Sequence, residues 1–177
     1  MTPVLETARL VLSPFAPEDW ADCLRNYRAD PRMYVWTGGH TETEDESRQW
    51  LAGAAEAYAD PDTAYWAVRL RGGEVIGEVF VDDFGRRNRW CELDWRIGPA
   101  FQKKGYATEA ASAAMEFLLS EAGFHRVQAK YAAENAASLR VMEKLGMRRE
   151  GVLREFFRDR EGRYHDVVLC ARVREEK

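Results

Sequence analysis

The sequence predicts an α/β fold on a mixed sheet of about seven strands, and three observations carry that prediction. Two β-rich runs, Tyr65 to Leu70 and Glu74 to Val81, are joined by Arg71-Gly72-Gly73, the composition of a tight hairpin. Small and apolar residues from Gly105 to Leu119 describe one long helix. Val127 to Tyr131 then reads as a strand crossing back beside the run Trp90 to Ile97, which makes a βαβ unit. An antiparallel meander therefore comes first and a parallel crossover later.

The remaining elements follow in order. Arg9 to Phe15 is a strand, and Ala16-Pro17-Glu18-Asp19 opens a helix with Pro and two acids where the helix dipole favours them. That helix ends by Asp30-Pro31. Thr43 to Tyr58 is a second helix, because Trp50, Leu51, Ala54 and Tyr58 recur at helical spacing and Asp60-Pro61 stops it. A polar turn around Gly85 to Asn88 precedes Trp90 to Ile97. Asn135 caps a helix whose Leu139, Met142 and Leu145 share a face, and Gly146 supplies its left-handed stop. Strands near Met147 to Arg154 and Arg163 to Val173 close the sheet.

A chain of 177 residues forms one core and buries roughly 70% of its unfolded surface, so residues 1–177 are expected to be a single domain. The formal net charge is -4 with both signs mixed along the chain, which argues against nucleic acid as the main ligand. The first twelve residues lack a signal-peptide apolar core, and no run approaches the roughly 20 apolar residues of a membrane span, so a cytoplasmic location is expected. Cys23, Cys91 and Cys170 are odd in number and widely spaced, which suits reduced thiols. His40, His125 and His165 are scattered, with no metal-ligand spacing, so no metal is implied.

The segment richest in chemistry is Ile97-Gly98-Pro99-Ala100-Phe101-Gln102-Lys103-Lys104-Gly105-Tyr106-Ala107-Thr108. A strand stops, a polar Gly-containing loop follows and a helix begins, which exposes unpaired N–H groups at the positive end of a helix. A pyrophosphate suits that place, with Gly105 allowing close approach, Ala107 keeping the wall thin and Lys103 and Lys104 adding charge. The spacing is that of neither a P-loop nor a Rossmann glycine fingerprint.

Gln102-Lys103-Lys104-Gly105-Tyr106-Ala107 resembles the Gln/Arg-x-x-Gly-x-Gly/Ala motif of the GNAT superfamily of acetyltransferases. The runs from Leu5 to Leu12 and from Asn135 to Met147 also resemble the RimJ/RimL-like branch, so the likeness spans nearly the whole chain. It implies the GNAT fold: a mostly antiparallel sheet with helices on both faces and a splayed parallel strand pair that holds acetyl-CoA. Backbone groups around Trp95, Arg96 and Ile97 would hold the pantetheine arm. Those of Lys103, Lys104, Gly105, Tyr106, Ala107 and Thr108, after Gln102, would hold the pyrophosphate. Asn135 matches a position that contacts the arm, and Ser138 lies near the emerging thiol. As an N-cap alone, Asn135 contributes about 1 kcal/mol.

Acetyl transfer needs a neutral amine, and deprotonating one with a pKa near 10.4 at pH 7 costs about 4.6 kcal/mol. Glu92 matches the acid of the branch's strand segment and is the candidate base, with Ser138 or water as proton donor to the leaving thiolate. Asp94 and Trp95 stand where relatives carry Gly and Tyr, which adds a second carboxylate two residues from Glu92. The structural alternative for Glu92 is an ion pair with Arg96 or Arg89. Trp36, Trp50 and Trp66 are candidates to wall an acceptor pocket, although core packing explains Trp66 better. Asp82, Asp83 and the run Glu42 to Glu46 would make it acidic, but a solvated helix start also explains the run.

The resemblance therefore implies an N-acetyltransferase that carries acetyl from acetyl-CoA to a primary amine by direct attack. The acceptor classes are a protein N-terminus, an amino-sugar antibiotic, a polyamine or another small amine. The competing readings are a non-catalytic acyl-CoA sensor and a ribosome-associated protein using Arg148, Arg149 and the basic residues from Arg154 to Arg163, among which acids alternate. A homodimer through the last strands or through Phe156 and Phe157 accords with the branch.

Overall fold

The computed structural model describes residues 2–59 and 64–175, with residues 82 and 83 described through their backbone alone. One eight-stranded sheet runs through the described residues in the order β1-β2-β3-β4-β5-β6-β8-β7. Its strands are β1 (Leu5–Glu6), β2 (Leu10–Ser13), β3 (Tyr65–Leu70), β4 (Val75–Gly85), β5 (Trp90–Ile97), β6 (Arg126–Ala132), β7 (Arg148–Arg158) and β8 (Tyr164–Val173). The short β1 was not expected, and it raises the count from about seven to eight. Among the described residues only β5 and β6 run parallel, with helix α3 (Tyr106–Ser120) as their crossover.

Alternation along the strands explains why the sheet is covered on both faces. Leu10, Leu12, Trp66, Val68, Val79, Cys91, Leu93, Val127 and Ala129 point to one side and pack under α3, whose Ala110, Ala111, Ala114, Met115 and Leu118 are buried. Helix α4 (Ala136–Lys144) lies beside α3 through Met142. On the other side, Phe15, Cys23, Tyr27, Leu51, Ala67 and Val75 form a smaller cluster under helices α1 (Trp20–Cys23) and α2 (Glu44–Ala57). No helix among the described residues is long and apolar enough to cross a membrane.

The expected first helix is three short pieces: a 3-10 turn at Pro17–Asp19, α1, and a π turn at Leu24–Arg28, before Asp30 caps a further 3-10 turn at Pro31–Tyr34. Helix α2 starts with a capping box, in which Thr43 Oγ1 accepts from the Glu46 N–H and Glu46 accepts from the Thr43 N–H at 2.7 Å. The expected Asp60-Pro61 stop lies outside the described residues. The closing strands also pair in an order that their sequence does not announce. The last strand, β8, lies between β6 and β7, antiparallel to both.

Acids and bases are buried beneath the α1–α2 face. Glu78, fully buried on β4, accepts from Arg28 at 2.7 Å, Tyr27 at 3.1 Å and Arg96 at 3.2 Å, and Arg28 also reaches Glu42 at 2.6 Å. The Arg28 guanidinium lies 3.6 Å over the Trp50 ring. A buried pair of this kind adds little net stability, but removing one partner strands the other charge. Glu78→Ala should therefore lower unfolding free energy by about 3–5 kcal/mol in urea denaturation, and an apolar pair in place of Glu78 and Arg28 should recover most of that loss. A loss below about 1 kcal/mol would show that water already reaches Arg28.

His165 on β8 ties three separate segments together. Its Nε2 is 2.8 Å from Asp159 Oδ2, its Nδ1 is 3.3 Å from Glu134 Oε1, and the Trp36 ring meets it edge-on at 5.8 Å. Both ring nitrogens face carboxylates, so the imidazolium satisfies both contacts at once. The bond to Asp159, then the bond to Glu134, raises the His165 pKa, while His165 and then Arg163 hold Asp159 well below the usual carboxylate range. Because the folded value lies above the unfolded value of about 6.5, the histidine's contribution is fully present below pH 6.5 and is lost as pH rises through the folded value. Thermal melts of wild type and His165→Asn should differ most at mildly acid pH and converge above neutrality. A difference that grew with pH would refute the clamp.

Candidate active site

The site begins where β5 and β6 part. They pair only through Trp90↔Arg126, Cys91↔Val127 and Glu92↔Gln128. Beyond Glu92, β5 stays paired with β4 as far as Ile97, and β6 stays paired with β8 as far as Ala132. Between Leu93–Ile97 and Ala129–Ala132 lies a wedge edged by backbone, into which the N–H and C=O groups of alternate residues are directed.

Close packing positions the far end of β5. Gly98 brings its Cα against the carbonyl of Asn26, where a Cβ would collide. A 3-10 turn at Pro99–Phe101 then leads to Gln102, whose Nε2 donates to the Ile97 carbonyl at 2.9 Å. The Gln102 side chain thus fixes the strand end, while the loop beyond presents backbone. Lys103 has φ 62 and Gly105 has φ 85, two left-handed residues that swing the chain into α3. Its ladder begins with the Glu109 N–H donating to the Gly105 carbonyl at 3.0 Å, so Tyr106, Ala107 and Thr108 carry the helix's orphan donors.

This helix end is bolted to the turn between β1 and β2. Glu109 Oε2 accepts from Arg9 Nε at 2.6 Å, and its Oε1 accepts from Thr7 Oγ1 at 2.6 Å and from the Arg9 N–H at 3.0 Å. Arg9 Nη1 donates to the Lys104 carbonyl at 3.0 Å and its guanidinium covers the Tyr106 ring at 4.6 Å. Burial pushes the Glu109 carboxyl up, but the bonds from Thr7 and Arg9 outweigh it and hold the group below its ordinary value. Lys103 and Lys104 are exposed, and Lys104 Nζ lies 5.5 Å over Phe101. Oriented amides, a positive helix end and two lysines thus lie together at the open mouth of the wedge, an arrangement that favours negative charge.

Glu92 occupies the apex, the last paired residue before the strands part, and is 5% exposed. Its partner is neither Arg96 nor Arg89. Lys130 Nζ is 2.9 Å from Oε1 and Gln128 Nε2 donates to Oε2 at 2.9 Å, both from β6. Arg96 goes to Glu78, and Arg89 donates to the Gly123 carbonyl. The register slip opposite falls on β4, between Val81 and Phe84, so β5 keeps its alternation and Glu92, Asp94 and Arg96 share one face. Trp95 points the opposite way, against the larger core.

Asn135 Oδ1 accepts from the Ser138 N–H at 3.2 Å, the N-cap expected of it, and both residues are half-buried at the start of α4. The three tryptophans do not wall one pocket. Trp66 is fully buried under α3, its ring 6.0 Å from Phe117 and its Nε1 donating to the Pro3 carbonyl at 2.8 Å. Trp50 lines an outer hollow with Gly53, Ala54, Ala57 and Tyr65, and Trp36 meets His165. In the acidic run, Glu42 turns inward to Arg28 and Glu46 caps α2, so the run is structural. The side chains of Asp82 and Asp83 lie outside the described residues.

Sequence reasoning missed Gln128 and Lys130, which hold both oxygens of Glu92, and the Arg9–Glu109 anchor. The signal for the first was present: polar Gln128 and Lys130 alternate with apolar Val127, Ala129 and Tyr131, giving β6 a polar face on the side of the sheet that Glu92 shares.

Comparison with known proteins accords with this geometry. Residues 9–148 match the family model described as an acetyltransferase (GNAT) domain. The chain is 33% identical over 153 residues to the N-acetyltransferase YnaD of Bacillus subtilis, covering 85% of this chain and 86% of that one. Its fold is similar to a GNAT-family acetyltransferase from Bacillus anthracis, with a TM-score of 0.87, 27% identity and coverage of 98% and 100%. It is also similar to Mycobacterium smegmatis RimJ in complex with CoA-disulfide, with a TM-score of 0.82 at 20% identity and coverage of 97% and 86%. The matched segment spans the wedge and the start of α3 at its mouth, and the chain belongs to the GNAT acetyltransferase family as an N-acetyltransferase.

Proposed function

We propose that this enzyme binds acetyl-CoA in the β5–β6 wedge and transfers its acetyl group to a primary amine by direct attack in a ternary complex. The parting of the two strands beyond Glu92↔Gln128 carries the proposal, because it leaves β5 an unpaired edge that a pantetheine arm can join as an extra strand. In this reading the backbone of Trp95, Arg96 and Ile97 binds the arm. The N–H groups from Lys103 to Thr108 bind the pyrophosphate, in a loop whose start is held by Gln102. Asn135 contacts the arm with the amide nitrogen that capping leaves available.

Glu92 takes the proton from the attacking amine, directly or through a water, at the apex of the wedge. A carboxylate oxygen offers two acceptor positions, so one remains on each oxygen after the bonds from Lys130 and Gln128. A backbone N–H near Ile97 stabilises the tetrahedral oxyanion, and Ser138 or water returns a proton to the departing thiolate. The acceptor is a protein N-terminus or a small amine, and the enzyme acts as a monomer or a homodimer within the cytoplasm.

Calorimetric titration with acetyl-CoA should give micromolar binding, and thiol release should depend on added amine. Glu92→Gln should bind acetyl-CoA with similar affinity yet lose about 100-fold or more in kcat/KM near neutral pH. Unchanged turnover in that variant would remove Glu92 from proton transfer. Absence of acetyl-CoA binding by the wild type would overturn the wedge as its site.

A further inference from the structure

The acceptor face beside Glu92 carries an exposed aromatic ring that a backbone irregularity holds in place. Strands β7 and β8 are in register at Leu153↔Val167 and again at Phe157↔His165, with a slip between. Within the slip Glu155 takes φ 50, a left-handed conformation for an L residue, and its N–H donates to Asp166 Oδ1 at 2.9 Å. Bulges of this kind re-aim side chains. Here Phe156 is turned so that its ring centroid lies 5.4 Å from Lys130 Nζ, while the residue stays 60% exposed.

Lys130 is thus held between two attractors, the Glu92 carboxylate on one side and the Phe156 ring on the other. Register also places Leu153 on this face, since Leu153 pairs with Val167, Val167 pairs with Ala132, and Ala132 stands two residues from Lys130 on β6. Leu153 is itself partly exposed, at 36%. The approach to Glu92 therefore offers the Lys130 ammonium and an apolar, aromatic floor, with Asp94 and Arg96 further along the same face of β5.

Resting on the proposed transfer to a primary amine, we propose that Phe156 and Lys130 determine acceptor specificity, favouring a monoamine on an apolar or aromatic stem over a polycation. An apolar stem covers Phe156 and Leu153 and removes both from water. A second ammonium on the acceptor meets the Lys130 charge in a site from which water is being displaced, where repulsion is stronger than in bulk solvent. Phe156 does not touch the proton in flight; it receives the part of the acceptor next to the amine.

The test compares kcat/KM for phenethylamine and spermidine at saturating acetyl-CoA. Wild type should prefer phenethylamine by about tenfold or more, the scale of one well-placed aromatic contact. Phe156→Ala should erase most of that preference through KM for phenethylamine, Phe156→Tyr should keep it, and Lys130→Met, which lowers turnover of both amines by releasing Glu92 Oε1, should shift their ratio toward spermidine. A wild type that prefers spermidine, or a preference unmoved by Phe156→Ala, overturns the inference. So does acetyl-CoA binding without acetylation of either amine, which leaves the cofactor wedge intact; loss of acetyl-CoA binding itself would strike the proposed function.

Discussion

A parallel strand pair that separates partway along leaves backbone donors and acceptors facing a gap, and such groups must find partners or remain in water. In this chain β5 and β6 each keep a full antiparallel neighbour on their outer sides, so the two are held apart by β4 and β8. Most of the site follows from that separation. The wedge fixes where an extended ligand can pair, the β5 end at Gly98 fixes where the loop turns, and the start of α3 falls at the wedge's mouth. At the apex, Glu92 is enclosed because Gln128 and Lys130 reach it from the last stretch of β6 still close enough to do so.

The two faces of the sheet divide the work. The α3 face is nearly all apolar and sets stability, with alanines in α3 letting the helix approach closely. The opposite face carries paired charges at every depth: Glu78 with Arg28 and Arg96, and Glu92 with Lys130. Water is excluded from Glu78 and Arg28, whereas Arg96 and Lys130 keep 31% and 28% of their side chains exposed. An electrostatic arrangement that is rigid underneath and accessible at the edge suits a reaction in which a charged acceptor must arrive, lose a proton and leave neutral.

Local signals in the chain announced much of this. The segment from Ile97 to Thr108 was legible because a strand stop, a glycine and a helix start within twelve residues have few structural solutions, and Asn135 because an N-cap needs only its own helix. What stayed hidden depends on pairing between distant segments. The partners of Glu92 come from a strand that begins more than thirty residues later, and its sequence neighbours Arg89 and Arg96 were the natural but mistaken choice. The place of β8 between β6 and β7 is similarly set by packing across the sheet. The three tryptophans share a composition signal but lie in unrelated surroundings, because strand parity sends Trp66 beneath α3 while Trp50 stacks on Arg28.

The position of β8 bears on how the molecule is made. Strand β6 forms one wall of the wedge, and its outer hydrogen bonds run from Arg126↔Val173 to Ala132↔Val167, all to the strand synthesised after it. On its outer side the wall therefore has no partner until residues 164–173 have been made, while the start of α3, braced by Arg9 and Glu109, comes from earlier in the chain. During synthesis the braced start of α3 would be in place before β6 is backed by β8, so the two halves of the gap acquire their final spacing late in the making of the sheet.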